Sequence, residues 1–297
     1  MTVSDRSIFV IGAPSFNALA TSWQPAPLVL APALFAGGLY ALGIVRRSRP
    51  WPARRSLAFA FGLVAVVFAL DSGLDVYADR LASIHMVQHL VLTIIAAPLL
   101  AAGAPLRLAL GATGGATRAG IVRVLASPPA RTLSRPLTSW ILFVGLMVGW
   151  QVSPLYDLSL RHPLLHDLEH VLLLGTAMLF WAQVVGVDPL PHSLGAVGRL
   201  LYLLAAMPAM SVIGVWLLVP GTLRYPAYAA FAQALGVSPL RDQHLAGMIM
   251  WGGDAVLGAI TLLIACRALL GDERRAAARD AYREAADGVV ALPGVAP

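Results

Sequence analysis

Two pairs of histidines stand four residues apart inside otherwise apolar runs. His85 and His89 open HMVQHLVLTIIAAPLL (85–100), and His166 and His170 lie in RHPLLHDLEH (161–170). Residues i and i+4 of an α-helix share a face, one turn or about 6 Å apart along the axis. Each pair therefore offers two nitrogens from one rigid rod. Neutral imidazole is a good ligand for copper and zinc, and an ionisable side chain in a membrane segment marks function by default, because leaving it unsatisfied is costly. The four histidines are candidate metal ligands, and His244 in RDQHLAGMIMW (241–251) is a fifth. Asp71 and Asp75, one helical turn apart, are candidate carboxylate ligands or orienting groups. Asp167, Glu169 and Asp242 sit beside the histidines in sequence. Met86 next to His85, and Met248 one turn after His244, would bring the soft sulfur that favours Cu(I), although methionine in a span more commonly packs. His162 and His192 read as interfacial side chains.

These residues must be held by membrane helices. Hydrophobic residues make up 58% of the 297 and charged residues only 12%, far from the globular mix. The apolar runs are continuous rather than alternating, so the fold class is all-α, a polytopic bundle and not a membrane barrel. Seven spans are expected: Pro27 to Val45, Ser56 to Leu74, Ile84 to Gly103, Leu137 to Val152, Leu164 to Val187, Leu200 to Val219 and His244 to Leu270. The chain then divides into an N-terminal segment (1–26), the helical domain (27–270) and a tail (271–297). Gly37, Gly38, Gly145, Gly149, Gly252, Gly253 and Gly258 are candidate points of close helix approach.

All 21 basic residues are arginine, and 16 of them fall between alternate spans or in the tail. By the positive-inside rule that side is cytoplasmic, the N-terminus is outside and the protein is a multi-pass protein of the cell plasma membrane. The net charge of +6 is then explained by topology and lipid headgroups, and nucleic acid is not an expected partner. On this orientation six of the seven histidines belong to the outer end of the bundle, among eight acids facing five arginines. A cation approaching from outside meets a mildly negative mouth. The segment 117–135 reads as an amphipathic helix on the inner leaflet. The N-terminus carries no basic region, and Pro14 interrupts it, which argues against a cleaved leader. The single Cys266 can form no internal disulfide. Asp254, ten residues beyond His244 and near mid-membrane, must find a partner there.

Several chemistries compete. HDLEH (166–170) formally matches the H-x-x-E-H zinc-peptidase pattern, with the glutamate activating a zinc-bound water. A seven-span zinc hydrolase of the ceramidase or adiponectin-receptor type is the better enzymatic alternative, but its metal is expected on the cytoplasmic side. Bis-histidine haem ligands would face each other deeper in the bundle. A retinal protein is excluded, since the chain has no lysine for a Schiff base.

The order of HMVQHLVLTIIAAPLLAAGAP (85–105), LLHDLEHVLLLGTAMLFWAQVVGVDP (164–189) and DQHLAGMIMWGGD (242–254) resembles the Bacillus-type CtaG family of cytochrome c oxidase assembly factors. The resemblance implies a seven-span protein that is not an enzyme with turnover. It would bind copper and assist its delivery to the CuB centre of a haem-copper oxidase. Its implied partners are oxidase subunit I and an extracytoplasmic copper donor. The resemblance matches His85, His89, His166, His170 and His244 to the family's histidines, with Asp242 and Trp251 in the last motif. An unrelated, single-span assembly factor of the same name carries paired cysteines; one cysteine excludes it here.

Overall fold

The structure, a computed structural model, describes residues 15–290 other than 187, 191 and 193. Asp5, Arg6 and the rest of 1–14, Val187 at the expected end of the fifth span, and 291–297 of the tail lie outside the described residues. In chain order the helices are α1 (Phe16–Thr21), α2 (Pro27–Arg46), α3 (Ala53–Asp71), α4 (Gly73–Ala78) and α5 (Ala82–Leu90). A π-helical stretch, Val91–Ala96, carries α5 into α6 (Ala97–Ala102). Then come α7 (Pro105–Ala112), α8 (Gly115–Leu125), α9 (Pro128–Leu133), α10 (Pro136–Val152), α11 (Pro154–Ser159), α12 (Pro163–Val185) and α13 (Ala196–Leu218). A 3-10 turn, Pro226–Tyr228, precedes α14 (Ala229–Ala234) and α15 (Pro239–Val290). No strand occurs among the described residues.

Proline explains where many of these helices start. Prolines 27, 105, 128, 136, 154, 163 and 239 each occupy the first helical turn, where the missing N–H costs nothing and φ is already helical. Among the described residues six helical segments are long and apolar enough to cross a membrane, ending with Pro239–Ile264 of α15. The expected fourth span, α10, has 17 residues, about 25 Å at 1.5 Å per residue, against a hydrocarbon core of about 30 Å. Pro136 before it and the Ser153–Pro154 break after it set that length.

The second span differs from expectation at its C-terminal end. It stops at Asp71, and Ser72 turns the chain, accepting from Leu74 N to cap α4. The turn needs Gly73, where a Cβ would lie 2.4 Å from Ala18 O. Asp71 and Asp75 are therefore on two helices, not one. The seventh span begins at Pro239, five residues before His244, and its helix runs unbroken past residue 270. The amphipathic segment expected at 117–135 is two helices, α8 and α9, with no buried residue in either.

The rod α5–π–α6 lies at the centre of the bundle, touching α3 on one side, α12 on another and α15 on a third. Its apolar side chains join both cores. Ile94 and Ala97 pack with Phe143, Phe180 and Met210, while Leu92 and Leu100 pack with Tyr40 and Phe59. The most extensive pair is α13 with α15. Their closest approach is at Gly214 and Gly247, neither of them expected: a Cβ on Gly247 would meet Gly214 O at 2.7 Å and Leu218 N at 3.0 Å. Of the seven glycines singled out above, only Gly253 is pressed this tightly, against Met210 and Leu90.

Because backbone cannot yield as a side-chain tip can, Gly247→Ala is expected to destabilise the protein by about 1–3 kcal/mol. Gly252→Ala, with nothing within 4 Å of its Cβ, should be neutral or slightly stabilising. Thermal unfolding in detergent compares the two; equal midpoints would show that the α13–α15 contact is looser than described.

Candidate metal centre

The site begins with the way α5 is held. The first backbone N–H groups of a helix have no partner within it, and at α5 these are met from α15. Asp242 accepts from Ala82 N (2.7 Å), Ser83 N (3.3 Å) and Ser83 Oγ (2.5 Å). On the next turn Gln88 donates to Ala69 O and Asp75 Oδ1, both at 2.8 Å. Asp242 and Asp75 thus bracket His85 and His89 and fix the height and rotation of the helix that carries them. Below them Thr93 donates to His89 O at 2.7 Å, and Trp181 of α12 donates to Thr93 O at 2.6 Å across the π-helical stretch. The π-helical turn lies directly beneath His89, a placement often found at functional sites.

The second helix is α12, which runs the same way and brings His166, Glu169 and His170 to the same height. Ser159, in the short α11 before it, donates to Glu169 Oε2 at 2.8 Å. His89 Nε2 and Glu169 Oε1 are 3.6 Å apart. His166 Nδ1 lies 3.9 Å from Asp79 Oδ1 at the end of α4.

The four imidazoles meet. Ring centroids are 4.4 Å apart for His85 and His89, 4.5 Å for His166 and His170, and 5.1 to 5.7 Å between the pairs. His85 Nε2 and His89 Nε2 are 2.8 Å apart; two nitrogens each about 2.0–2.1 Å from one tetrahedral ion lie about 3.3 Å apart. The atoms form two overlapping triads, His85–His89–His170 and His85–His166–Glu169, each with its ligand atoms within 4.8 Å of one another. His170 Nε2 is buried without a hydrogen-bond partner, an orphan of the kind a bound cation would satisfy. The donor set of four neutral nitrogens and a carboxylate fits copper or zinc.

The surrounding wall is polar where it touches the imidazoles. Tyr228 OH lies 2.8 Å from His85 Nδ1, and Tyr156 OH lies 3.0 Å from Tyr228 OH. Burial pushes both phenols well above their ordinary pKa, so both remain neutral hydroxyls. Engaging Nδ1 leaves Nε2 of His85 turned to the cluster, the usual way an outer partner sets the tautomer of a ligating histidine. Gln151 of α10 donates to Met86 Sδ at 3.3 Å and lies 3.5 Å from His89 Nδ1. Tyr225 OH donates to Gln151 O at 2.7 Å. The space beside His89 and Glu169, walled by Trp150, Gln151 and Leu173, is about 10 Å³, room for one water or ion and nothing larger.

Other expected residues lie elsewhere. His244 is outside the cluster, its Nε2 3.2 Å from Pro220 O. Asp71 accepts from Ala26 N at 2.9 Å, and Asp75 accepts from Gln88 Nε2 at 2.8 Å. Met86 is buried beside the cluster, whereas Met248 is exposed. His162 and His192 are exposed. Asp254 pairs with Ser211 of α13. Sequence reasoning passed over Glu169 as a ligand, although its place in HDLEH marks it. It had no signal for Gln151, Tyr156 and Tyr228, which arrive from α10, α11 and the 3-10 turn.

The sequence profile described as cytochrome c oxidase caa3 assembly factor (Caa3_CtaG) matches residues 38–271. The chain is 30% identical over 285 residues to an uncharacterized protein of Mycobacterium leprae, covering 91% of this chain and 42% of that protein. Uncharacterized proteins of Mycobacterium bovis and Mycobacterium tuberculosis are 29% identical over 282 residues, 90% of this chain and 42% of theirs. The chain thus spans less than half the length of these curated relatives. No solved structure matches it.

Asp242→Ala removes the acceptor for three donors at the head of α5, and a buried donor left unmatched costs about 1–3 kcal/mol. The variant is expected to lose at least that much stability in thermal unfolding. His244→Ala, breaking one contact to a loop carbonyl, should lose less; the opposite order would remove Asp242 as the anchor of α5.

Proposed function

The chain belongs to the cytochrome c oxidase caa3 assembly factor family, and from that premise we propose that it binds copper at the four-histidine cluster and assists its delivery to the CuB centre of a haem-copper oxidase. The observation that carries this reading is the meeting of His85, His89, His166 and His170 with Glu169 at one buried point. Five ligand-type side chains converge there from two helices. A delivery protein must hold its metal and then yield it, and mixed nitrogen and carboxylate ligands suit exchange better than a closed thiolate cage. When bound, the ion would be held by imidazole nitrogens and the Glu169 carboxylate, with Tyr228 orienting His85 and Gln151 facing His89. The client is the oxidase, through its subunit I, and the copper comes from an extracytoplasmic donor.

The multi-pass helices place the protein in a membrane, and the arginine distribution supports the plasma membrane with the cluster near its outer face. The cluster lies at the end of the bundle formed by the starts of α5, α12 and α15. A C-terminal alkaline phosphatase fusion is then expected to be inactive and a C-terminal fluorescent fusion bright. An active phosphatase would turn the site toward the cytoplasm.

A zinc hydrolase remains the second reading because Glu169 stands beside two imidazoles, as a water-activating carboxylate would. Family membership supports a role in assembly rather than turnover.

Metal analysis of the purified protein is expected to show bound copper, with affinity reduced roughly a hundredfold or more in His85→Ala and in His170→Ala. A deletion strain should assemble oxidase that contains haem but is poor in CuB, with activity lost. Oxidase of full copper content and activity from that strain would defeat the assembly reading for copper. A changed lipid or peptide pool beside normal oxidase would favour the hydrolase.

A further inference from the structure

The two triads share His85, and that sharing limits how they can be used. A neutral imidazole has one acceptor nitrogen, so it can ligate one ion at a time. Simultaneous occupation of both triads would require His85 to lose its second ring proton and bridge as an imidazolate, while Tyr228 faces that nitrogen at 2.8 Å. The triads are therefore alternatives for a single ion, not halves of a two-metal centre.

They also differ in chemistry, and His166 makes one of them more accessible than the other. Side-chain exposure falls from 30% at Asp79 to 13% at His166, then to 7% at His89 and 4% at Glu169, and His85 is fully buried. The outer triad, His85–His166–Glu169, contains the more accessible histidine and the carboxylate. The inner one, His85–His89–His170, consists of three buried imidazoles. Asp79 stands beside His166 at 3.9 Å and is the more exposed of the two, a carboxylate at the accessible edge of the cluster. His166 and Glu169 lie on the same helix as His170, and His85 and His89 share the other, so the two positions are built into two rods that need not move apart.

We infer that a single metal ion passes through the two triads in sequence: captured at Asp79 and His166, held by His85, His166 and Glu169, then handed to His85, His89 and His170. His85 keeps its bond throughout. Moving inward, the bonds to His166 and Glu169 break as those to His89 and His170 form; release reverses the order. No electron is transferred and no bond within the protein breaks. His166 is thus a transfer ligand whose loss changes rates, while His89 is a retention ligand whose loss changes affinity. Ligand-by-ligand exchange keeps the ion at least partly coordinated along the path, so bare metal is never released into the bundle.

The inference rests on the copper reading above, and one set of measurements separates them. The full chain in detergent is loaded with Cu(I) under reducing conditions, and transfer to the chelator bicinchoninate is followed by stopped flow. The wild type is expected to bind one ion per chain. His166→Asn should still bind one, but load and release on the order of tenfold more slowly. Asp79→Asn, a nearly isosteric change at the rim, should slow exchange severalfold without altering stoichiometry or the thermal midpoint. His89→Ala should load at close to the wild-type rate and hold the ion on the order of a hundredfold more weakly. Two ions per chain at saturation, or wild-type exchange rates in both rim variants, would overturn the inference and leave copper binding intact. No copper uptake by the wild type would instead defeat the copper reading itself.

Discussion

Imidazoles and a carboxylate placed inside an apolar bundle lose their hydration, and every other feature of this end of the molecule answers that loss. A buried polar group without a partner costs about 1–3 kcal/mol; five such side chains at one point would strain a marginally stable fold. The protein surrounds them with neutral hydroxyls and amides in place of water. Tyr228 faces His85, Gln151 faces His89 and Ser159 donates to Glu169. His170 Nε2 is left without a hydrogen-bond partner.

Holding the cluster also requires that two helices keep a fixed height relative to each other, and this is done outside the cluster. Asp242 anchors the head of α5 from α15, Gln88 ties its next turn to α3 and α4, and Trp181 of α12 bonds to the π-helical stretch below. A helix rotated by one residue turns its side chains by about 100°, so these bonds decide whether His85 and His89 face α12 at all. The acids that look like ligands in sequence are used instead as anchors. That division is economical physically: a carboxylate accepting backbone N–H groups satisfies helix ends that would otherwise be orphaned in a low-dielectric interior.

The far end of the bundle is organised differently. Arg47 and Arg55 lie over the Trp51 ring, and Asp188 accepts from Arg107 N at 2.9 Å. These contacts brace the connections between spans where most arginines lie, without bringing ligand-type side chains together. The chain thus separates a charged, braced end from an end that gathers imidazoles and a carboxylate.

Helical content, the positions of the apolar segments and the two histidine pairs are properties of local sequence: hydrophobic runs of span length and an i, i+4 spacing act through the geometry of a single helix. The pairing of His85 with His89, and of His166 with His170, was legible for that reason. Where the reading relied on neighbours in sequence standing for neighbours in space, it parted from the structure. Asp71 and Asp75 look like one helical face until Ser72 and Gly73 break the helix, and His244 reads as a fifth histidine ligand yet its Nε2 lies against Pro220 O. Only tertiary packing brings Gln151, Tyr156 and Tyr228 to the imidazoles, sets Asp242 under the first turn of α5, and buries all but one edge of the cluster. Those contacts join residues as many as 160 positions apart, and no periodicity along the chain encodes such pairs, because they depend on how whole helices cross and not on the face any one of them presents.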